Sequence, residues 1–295
     1  MKSGIVSIVG RPNVGKSTLL NSLLDMHLAI TSNKVGTTRN IIQGIYEDET
    51  SQIIFVDTPG ISKPLDKLGS ILNKKSYSSL DNVDLVLFLV DVSTGFGKGD
   101  EFVLNRIKEQ DVPVFLILNK IDTIKKVKLL EIVTKLKDLH DFKEIIPISA
   151  KTEENKSELI SVIKSYLTNE GKIMETEEVT NISTKFYISE IVREKVLQLT
   201  EKEVPHSVSC LVEELIEKED KVIIRVLVIV DRDSLKKIII GKQGAMIKEI
   251  GVLARHDLEE YFGKTVYLET FVKTLKNWRE EEKYLKELGL NELDS

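Results

Sequence analysis

Cysteine is almost absent from this sequence, since Cys210 is the only one among 295 residues. One thiol cannot form an internal disulfide and supplies too few ligands for a structural zinc or iron–sulfur site, so a reducing, cytoplasmic setting is expected. No apolar run approaches the roughly 20 residues of a membrane-spanning helix, and the run after Met1 is too short for a signal peptide. The formal net charge of −5 gives no general attraction to nucleic acid or anionic lipid, so any such site must be local.

Short apolar runs alternate with polar segments along the first half of the chain. These runs lie at 5–9, 53–56, 85–90, 114–118 and 145–148. Runs that are apolar at every position need burial on both faces, so the alternation predicts an α/β fold with a doubly wound, predominantly parallel sheet. An edge strand is expected at 41–46. Helices are expected from Lys16, at 64–80, and from Gly99, Ile124 and Asn155.

The alternation ends near residue 170. The short acidic, polar stretch 171–182 predicts a linker between a first domain, 1–170, and a second domain, 183–295. The second domain is expected to be an α+β unit. Its predicted elements are a helix at 186–199, strands at 207–215 and 221–230, helices within 234–262 around a turn at 241–244, a strand at 265–271 and a helix at 275–288. In the last helix, Trp278 is expected to serve packing rather than base stacking.

A phosphate-binding loop pattern lies between the first predicted strand and the first predicted helix. It consists of Gly10, Arg11, Pro12, Asn13, Val14, Gly15, Lys16 and Ser17. In such a loop the backbone N–H groups converge on the β-phosphate, and the helix N-terminus adds partial positive charge. Lys16 is expected to reach the β- and γ-phosphates, Ser17 to ligate Mg²⁺ and Thr18 to reach the α-phosphate.

A second motif follows the apolar run 53–56 and consists of Asp57, Thr58, Pro59 and Gly60. Asp57 is expected to hold Mg²⁺ through a water molecule, and the Gly60 N–H to sense the γ-phosphate. A polar stretch with Gly36, Thr37, Thr38 and Arg39 precedes it. One threonine hydroxyl there is expected to close over Mg²⁺. Thr38 is favoured over Thr37, and a solvated loop threonine is the alternative.

Two further motifs follow strands: Asn119, Lys120, Ile121 and Asp122 after 114–118, and Ser149, Ala150 and Lys151 after 145–148. A carboxylate at Asp122 accepts from both N1–H and the exocyclic amine of guanine, whereas adenine lacks this pair of donors. A backbone N–H in the second motif is expected to donate to guanine O6. The sequence therefore predicts GTP and GDP as ligands rather than ATP.

The ordered motifs resemble the translation-factor-related GTPases, and within them the Era and MnmE-like group. The resemblance implies GTP hydrolysis with Mg²⁺, in which Lys16, Thr38, Gly60 and Asn13 are the candidate catalytic residues. Ile61 stands where Ras-like enzymes have a water-orienting glutamine, so slow intrinsic hydrolysis is expected. Members of the group with asparagine at the position of Asn13 can use K⁺ against developing negative charge. Asn13 is therefore a candidate K⁺ ligand, and a loop-stabilising role is the alternative.

The turn at 241–244 has the pattern Gly-x-x-Gly between two predicted helices. KH domains clamp about four nucleotides with such a turn, although a helical hairpin that merely turns at two glycines is the alternative. Between Arg232 and Arg255, six basic residues oppose two acidic ones, which is a local basic footprint in an acidic chain. The candidate RNA ligands are Lys236, Lys237, Gly241, Lys242, Gln243, Gly244, Lys248 and Arg255.

The order helix, strand, strand, helix, turn, helix, strand resembles a type II KH domain, and with it the whole chain resembles the Era family. The resemblance implies binding to the 3′ region of small-subunit rRNA and a role in small ribosomal subunit assembly. A cytoplasmic monomer is expected, and peripheral contact at the inner membrane face stays open. Leu235 stands where many relatives have glutamine, which puts contacts there in doubt. Two rivals stay open, a MnmE-like GTPase acting on another RNA and a membrane-surface GTPase.

Overall fold

The computed structural model describes residues 1–175 and 178–290. Two compact units make up the chain. The first contains Met1–Ala29, Thr38–Leu65 and Gly69–Asn181, and the second contains Ile30–Thr37, Asp66–Leu68 and the chain from Ile182 onward. The predicted linker, 171–182, includes residues 176 and 177, and the predicted second domain ends with 291–295, all of which lie outside the described residues. The three domain limits stay predictions.

The first unit is built on a mostly parallel sheet. Its strands are β1 (Lys2–Val9), β2 (Ile42–Glu47), β3 (Ser51–Asp57), β4 (Leu85–Asp91), β5 (Val114–Asn119), β6 (Glu144–Ile148) and β7 (Asn169–Glu170). The sheet order is β2-β3-β1-β4-β5-β6, and β7 pairs with β1. Only β2 and β7 run antiparallel to their described neighbours. The predicted fold class and the predicted edge strand are confirmed.

Helices follow the strands of this unit: α1 (Lys16–Leu24), α2 (Lys67–Ser78), α3 (Lys98–Ile107), α4 (Lys126–Leu136) and α5 (Lys156–Tyr166). Every residue of β3, β4 and β5 is buried, which requires cover on both faces of the sheet. On one face, Val86, Phe88 and Val90 of β4 pack in one apolar cluster with Val103 and Ile107 of α3. The sheet core therefore holds the carboxyl ends of β1, β3, β4 and β5 in place, where the predicted motifs begin.

The second unit combines helices with a small sheet of order β10-β9-β8. Its elements are α6 (Thr184–Leu199), α7 (Val204–Ser207), β8 (Val208–Glu217), β9 (Lys221–Val230), α8 (Asp233–Ile240), α9 (Ala245–Phe262), β10 (Thr265–Thr274) and α10 (Glu282–Glu287). The strand β9 is antiparallel to β8 and parallel to β10. This order confirms the predicted α+β unit, to which the structure adds the four-residue helix α7. Among the residues that the structure describes, every helix is too short or too polar to span a bilayer.

The last helix is shorter than the sequence pattern predicts. A helix is predicted over 275–288, whereas 276–280 form turns and α10 covers only Glu282–Glu287. Asn277 has a φ of 55°, which an α-helix does not contain. Trp278 is fully buried, and its Nε1 donates to the carbonyl oxygen of Ser207 at 3.2 Å. The predicted range is wrong because burial of this indole decides the local conformation, and the packing role of Trp278 is confirmed.

Candidate functional site

The loop between β1 and α1 has the backbone conformation of a phosphate cradle. Asn13 and Gly15 have left-handed φ values of 66° and 100°. A Cβ at Gly15 would lie 2.3 Å from Asn119 Nδ2, and one at Gly10 would lie 2.7 Å from the Leu89 carbonyl oxygen. Both positions therefore require glycine. The helix α1 begins directly after Gly15, which places its unpaired N–H groups and its positive dipole end at the loop.

Two buried charges of opposite sign lie at this loop. Lys16 is 6% exposed and Asp57 is 0% exposed. Burial lowers the pKa of Lys16 to about 8, although the Asp57 carboxylate opposes the shift. Burial also raises the pKa of Asp57 to about 6, against the effects of Lys16 and Ser17. Phosphate beside Lys16 and a cation beside Asp57 would favour the charged form of each side chain, so the electrostatics suit a metal-bound phosphate ligand.

The predicted Mg²⁺ ligands lie together. Ser17 Oγ donates to Asp57 Oδ2 at 2.6 Å and lies 2.8 Å from Thr38 Oγ1. The other carboxylate oxygen, Asp57 Oδ1, is buried and has no hydrogen-bond partner among the described residues. The Thr37 hydroxyl instead donates to the Lys34 carbonyl oxygen at 2.6 Å, which favours Thr38 over Thr37. Hydroxyl and carboxylate oxygens are ligands that Mg²⁺ prefers, so the residues present fit this ion.

The turn after β3 lies against the phosphate loop. A Cβ on Gly60 would lie 2.7 Å from the Cα and N atoms of Pro12, so only glycine allows this approach. Thr58 Oγ1 donates to the Ile8 carbonyl oxygen at 3.0 Å, which ties the turn to β1. Ile61 is 1% exposed and packs in the apolar core. Its side chain is buried and has no hydrogen-bonding group with which to orient a water molecule, and slow intrinsic hydrolysis stays a prediction.

Asn119 connects the two ends of the nucleotide site. Its Nδ2 donates to the Val14 carbonyl oxygen at 2.8 Å, and its Oδ1 accepts from the Ala150 N–H at 3.0 Å. Ser149 Oγ donates to Asp122 Oδ1 at 2.7 Å, which orients the carboxylate that is predicted to read guanine. The phosphate loop and both base-recognition motifs thus meet at the carboxyl edge of the sheet, as doubly wound folds require.

The structure adds Asp91, at the end of β4, to the predicted site. Lys120 Nζ donates to Asp91 Oδ2 at 2.7 Å and to the Asn13 carbonyl oxygen at 2.8 Å. Burial alone would raise the pKa of the Asp91 carboxyl, yet hydrogen bonds from Lys120 and Ser93 lower this pKa below its usual value. Asp91 directly follows the apolar run 85–90, just as Asp57 directly follows the run 53–56. The signal that identifies Asp57 in the sequence therefore identifies Asp91 as well.

The remaining predicted nucleotide ligands lie around the same loop. The guanidinium of Arg11 pairs with Asp100, with Nε 3.0 Å from Oδ1, and also donates to Thr94. Its carbonyl oxygen accepts from Lys16 Nζ at 3.2 Å. The guanidinium is therefore engaged by Asp100 and Thr94, and contact of Arg11 with the nucleotide stays a prediction. Val14 and Pro59 are buried, Thr18 is half-buried and Lys151 is exposed.

The second predicted site is the turn between α8 and α9. Gly241, Gln243 and Gly244 have positive φ values of 72°, 53° and 80°. A Cβ on Gly241 would lie 2.7 Å from Met246 Cβ, so this glycine allows close backbone packing at the turn. Lys242 and Gln243 are exposed. The 18-residue helix α9 begins directly after Gly244, so its N-terminus lies at this turn.

Basic side chains lie in this turn and along the two helices that flank it, α8 and α9. The exposed ones are Lys237, Lys242, Lys248 and Arg255, and Lys236 is half-buried. Leu235 is 3% exposed, so its side chain is not available to a ligand. Sequence reasoning missed the apolar surface of the same helices, where Ile238 and Val252 are 49% and 48% exposed. Their spacing is that of core residues, and only the packed structure shows that they face solvent.

Two family models match the chain. One, described as a 50S ribosome-binding GTPase, matches residues 5–120, and the other, a KH domain, matches residues 203–279. Two solved structures resemble almost the whole chain. A variant of Aquifex aeolicus Era bound to GDP·AlF4⁻ is 39% identical with a TM-score of 0.94, over 98% of this chain and 99% of that chain. Era in complex with MgGDPNP and nucleotides 1506–1542 of 16S ribosomal RNA is 40% identical with a TM-score of 0.95, over 98% and 99% of the two chains.

This chain belongs to the Era family. Membership in the Era family confirms the predicted resemblance, the combination of a GTPase domain with a KH domain, and the enzyme class, which is GTPase. The Era-family motifs occupy the positions that the sequence predicts, at the carboxyl edge of the sheet and at the turn between α8 and α9. The ligand contacts of the individual residues stay predictions.

Proposed function

We propose that this Era-family GTPase is a GTP-driven switch that binds the 3′ region of small-subunit rRNA and acts in assembly of the small ribosomal subunit. The observation that carries the proposal is the match over 99% of the Era chain solved with MgGDPNP and nucleotides 1506–1542 of 16S ribosomal RNA. The exposed turn at 241–244 and its basic surroundings support it. This match is specific to Era, and it disfavours a MnmE-like GTPase acting on another RNA and a purely membrane-surface GTPase.

In the proposed reaction, Ser17, Thr38 and Asp57 would hold Mg²⁺, with Asp57 acting through a water molecule. Bound Mg²⁺ supplies neutralising charge to the β- and γ-phosphate oxygens. Lys16 and the N–H groups at the start of α1 bind the phosphates and stabilise negative charge as it develops. The Gly60 N–H senses the γ-phosphate, because no side chain blocks its approach.

We further propose that Asn13 binds K⁺ during hydrolysis. Asn13 lies in the phosphate loop with a φ of 66°, and the buried side chain of Ile61 cannot orient the attacking water. A monovalent cation beside the phosphates would supply positive charge in the transition state. GTP hydrolysis is therefore expected to be about tenfold or more faster in K⁺ than in Na⁺ at equal ionic strength.

The variant Asn13→Gly tests this ligand, because glycine keeps the left-handed backbone accessible while it removes the side-chain oxygen. It is expected to hydrolyse GTP at the same slow rate in both salts, as measured by phosphate release. Equal rates of the unchanged chain in K⁺ and Na⁺ would assign Asn13 to loop stabilisation alone.

The affinity for RNA tests the proposed function. The intact chain is titrated with an RNA that corresponds to nucleotides 1506–1542, in the presence of Mg²⁺ and either a GTP analogue or GDP. Affinity is expected to be higher with the GTP analogue, by about 5- to 150-fold, which is the usual range of coupling between two sites. An RNA of the same length and scrambled sequence is the control. Equal affinity for both RNAs, or for both nucleotide states, would overturn the switch.

We also propose that the protein is a cytoplasmic monomer whose partner is the small ribosomal subunit, with peripheral contact at the inner membrane face. The single cysteine favours the reducing cytoplasm. Support for membrane contact comes from Val127 and Leu130 of α4, which are 71% and 67% exposed beside exposed Lys126 and Lys128. Flotation with anionic vesicles would test this contact, and failure to float would remove it.

A further inference from the structure

The segment Ile30–Thr37 directly precedes Thr38, the proposed metal ligand, and belongs to the second unit. Ile30 is 2% exposed and lies in the same apolar core as Ile188 and Ile191 of α6. The first residue of the segment is therefore anchored by burial. Polar contacts to α6 hold the backbone at both ends of the segment.

At the start of the segment, Glu194 of α6 binds Thr31. Glu194 Oε1 accepts from the Thr31 N–H at 2.8 Å and from Thr31 Oγ1 at 3.4 Å. The Glu194 side chain is 2% exposed. A carboxylate that is removed from water depends on its donors, since hydrogen bonds to a charged group are stronger than neutral ones and their loss leaves a buried charge unpaired.

At the end of the segment, Arg193 of α6 binds Thr37. Its Nη2 donates to the Thr37 carbonyl oxygen, and its Nε donates to Glu190 Oε1 at 2.7 Å. The Arg193 side chain is 1% exposed. This carbonyl group belongs to the peptide unit that joins Thr37 to Thr38, and a peptide unit is planar. The guanidinium therefore restrains the backbone from which the Thr38 hydroxyl extends.

The same stretch of α6 is linked to α9. Lys195 Nζ donates to Glu194 Oε2 at 3.1 Å and pairs with Asp257 of α9. The Lys195 side chain is 9% exposed and that of Asp257 is 31% exposed, so the chain of ion pairs runs from the interior to the surface of α9. The rings of Tyr187 on α6 and Tyr261 on α9 also touch, with centroids 4.5 Å apart.

The helix α9 begins at the turn at 241–244, which is the proposed RNA contact. Asp257 lies about 18 Å along this helix from its first residue, at 1.5 Å per residue. An α-helix transmits displacement along its axis because each of its backbone hydrogen bonds constrains the next turn. A change in the position of Asp257 is therefore expected to reach the turn, while Thr31 lies at the other end of the same chain of polar contacts.

We propose that Glu194, Lys195 and Asp257 are positioning residues that connect the segment Ile30–Thr37 to the Gly-x-x-Gly turn, with Arg193 restraining Thr38. This inference rests on the proposed function, because it names the route by which the nucleotide state reaches the RNA contact. If Thr38 moves when it takes up its proposed role as a metal ligand, Thr31 and Thr37 would shift against α6. Glu194 would then lose donors in a buried site and depend more strongly on its existing ion pair with Lys195, which would change the restraint on Asp257.

Hydrogen exchange of the backbone amides tests this route without RNA. The full chain is compared with Mg²⁺ and either GDP or a non-hydrolysable GTP analogue. Exchange rates are expected to differ between the two states by at least about fivefold both at 30–37 and at 241–262. A difference confined to 30–37 would overturn the proposal, because the nucleotide state would then not reach α9.

Two variants break the ion-pair chain at different points, and in each the new side chain has nearly the same shape as the original one. Glu194→Gln keeps an acceptor for Thr31 but loses the charge that holds Lys195, and Asp257→Asn removes the partner on α9. Each is expected to retain the difference between nucleotide states at 30–37 and to lose it at 241–262. A residue that only stabilises the fold would change exchange equally in both states. Persistence of both differences in both variants would contradict the assignment.

The matched control is Lys264→Gln. It breaks an ion pair of the same unit outside the proposed chain, with Lys264 Nζ 2.7 Å from Glu217 Oε1 at the end of β8. This variant is expected to retain both exchange differences.

RNA affinity is then measured in both nucleotide states. The ratio of the affinity with the GTP analogue to the affinity with GDP is expected to fall to within about twofold of unity in Glu194→Gln and Asp257→Asn only. If the unchanged chain binds no RNA, the proposed function fails, while the exchange data still decide the route.

Discussion

The variant Asp122→Asn is expected to bind GTP about 10²- to 10⁴-fold more weakly than the unchanged chain, because one hydrogen bond to a charged acceptor is lost at about 1.5–3 kcal/mol, the other is weakened, and the exocyclic amine is left without an acceptor at a further cost of about 1–3 kcal/mol. The carboxylate accepts from guanine N1–H and from the exocyclic amine, and Ser149 Oγ holds it in place at 2.7 Å. An asparagine amide presents one acceptor and one donor there, so the exocyclic amine of guanine meets a second donor.

The same substitution is expected to raise the affinity for XTP, because xanthine has a carbonyl oxygen where guanine has the amine. Affinities for both nucleotides are measured with fluorescent analogues. Asp138→Asn is the matched control, since this carboxylate is exposed just after α4 and lies outside the base-recognition motifs. If both variants bound GTP alike, the assignment of Asp122 to guanine recognition would be wrong.

The second large effect is expected at the Gly-x-x-Gly turn. Replacing Lys242 and Gln243 with aspartates is expected to lower RNA affinity by about 10²-fold or more, because two acidic side chains would face the phosphates in place of a lysine and a neutral side chain. Both residues are exposed, and Gln243 has a φ of 53°, which aspartate tolerates better than most residues. Aspartates near the start of α9 also favour the helix dipole. Loss of RNA binding would therefore not reflect loss of the helix.

The control for this double variant is Lys283→Asp with Gln198→Asp, which makes the same change of charge at two exposed positions of the same unit. Filter binding or fluorescence anisotropy at two salt concentrations is the measurement. The turn variant is expected to show a shallower dependence of affinity on salt, because fewer phosphate contacts release counterions. GTP hydrolysis without RNA is expected to stay unchanged. Equal RNA affinities of the two double variants would place the RNA contact elsewhere.

Much of the fold is readable in the sequence because its core strands are uniformly apolar. The runs 85–90 and 114–118 correspond to β4 and β5, whose residues are all buried. A strand with cover on both faces is apolar over most of its length, so its signal survives without knowledge of its neighbours. The predicted final helix is too long because its start depends on a contact with a distant residue rather than on a local pattern. Trp278 meets the Ser207 carbonyl oxygen from 71 residues away, and no local pattern contains that contact.

The nucleotide site is readable because its chemistry restricts residue types at short spacing. Gly15 must be glycine beside Asn119, and Lys16 and Ser17 must follow it directly to reach the phosphates and the metal. Asp57 is recognisable because it ends a buried strand. Asp91 has the same position at the end of β4, yet its hydrogen bond to Lys120 becomes visible only in the folded chain.

The sequence by itself therefore determined the fold class, the guanine-nucleotide chemistry and the presence of a KH turn, because each depends on residue types within a few positions of one another. Only the tertiary structure decided that Asp91 supports Lys120, that Trp278 interrupts the last predicted helix, and that Glu194 accepts from the Thr31 backbone 163 residues away. The physical reason is that a buried polar group takes the partner that packing brings within hydrogen-bond distance, and packing depends on the whole unit rather than on the neighbouring sequence.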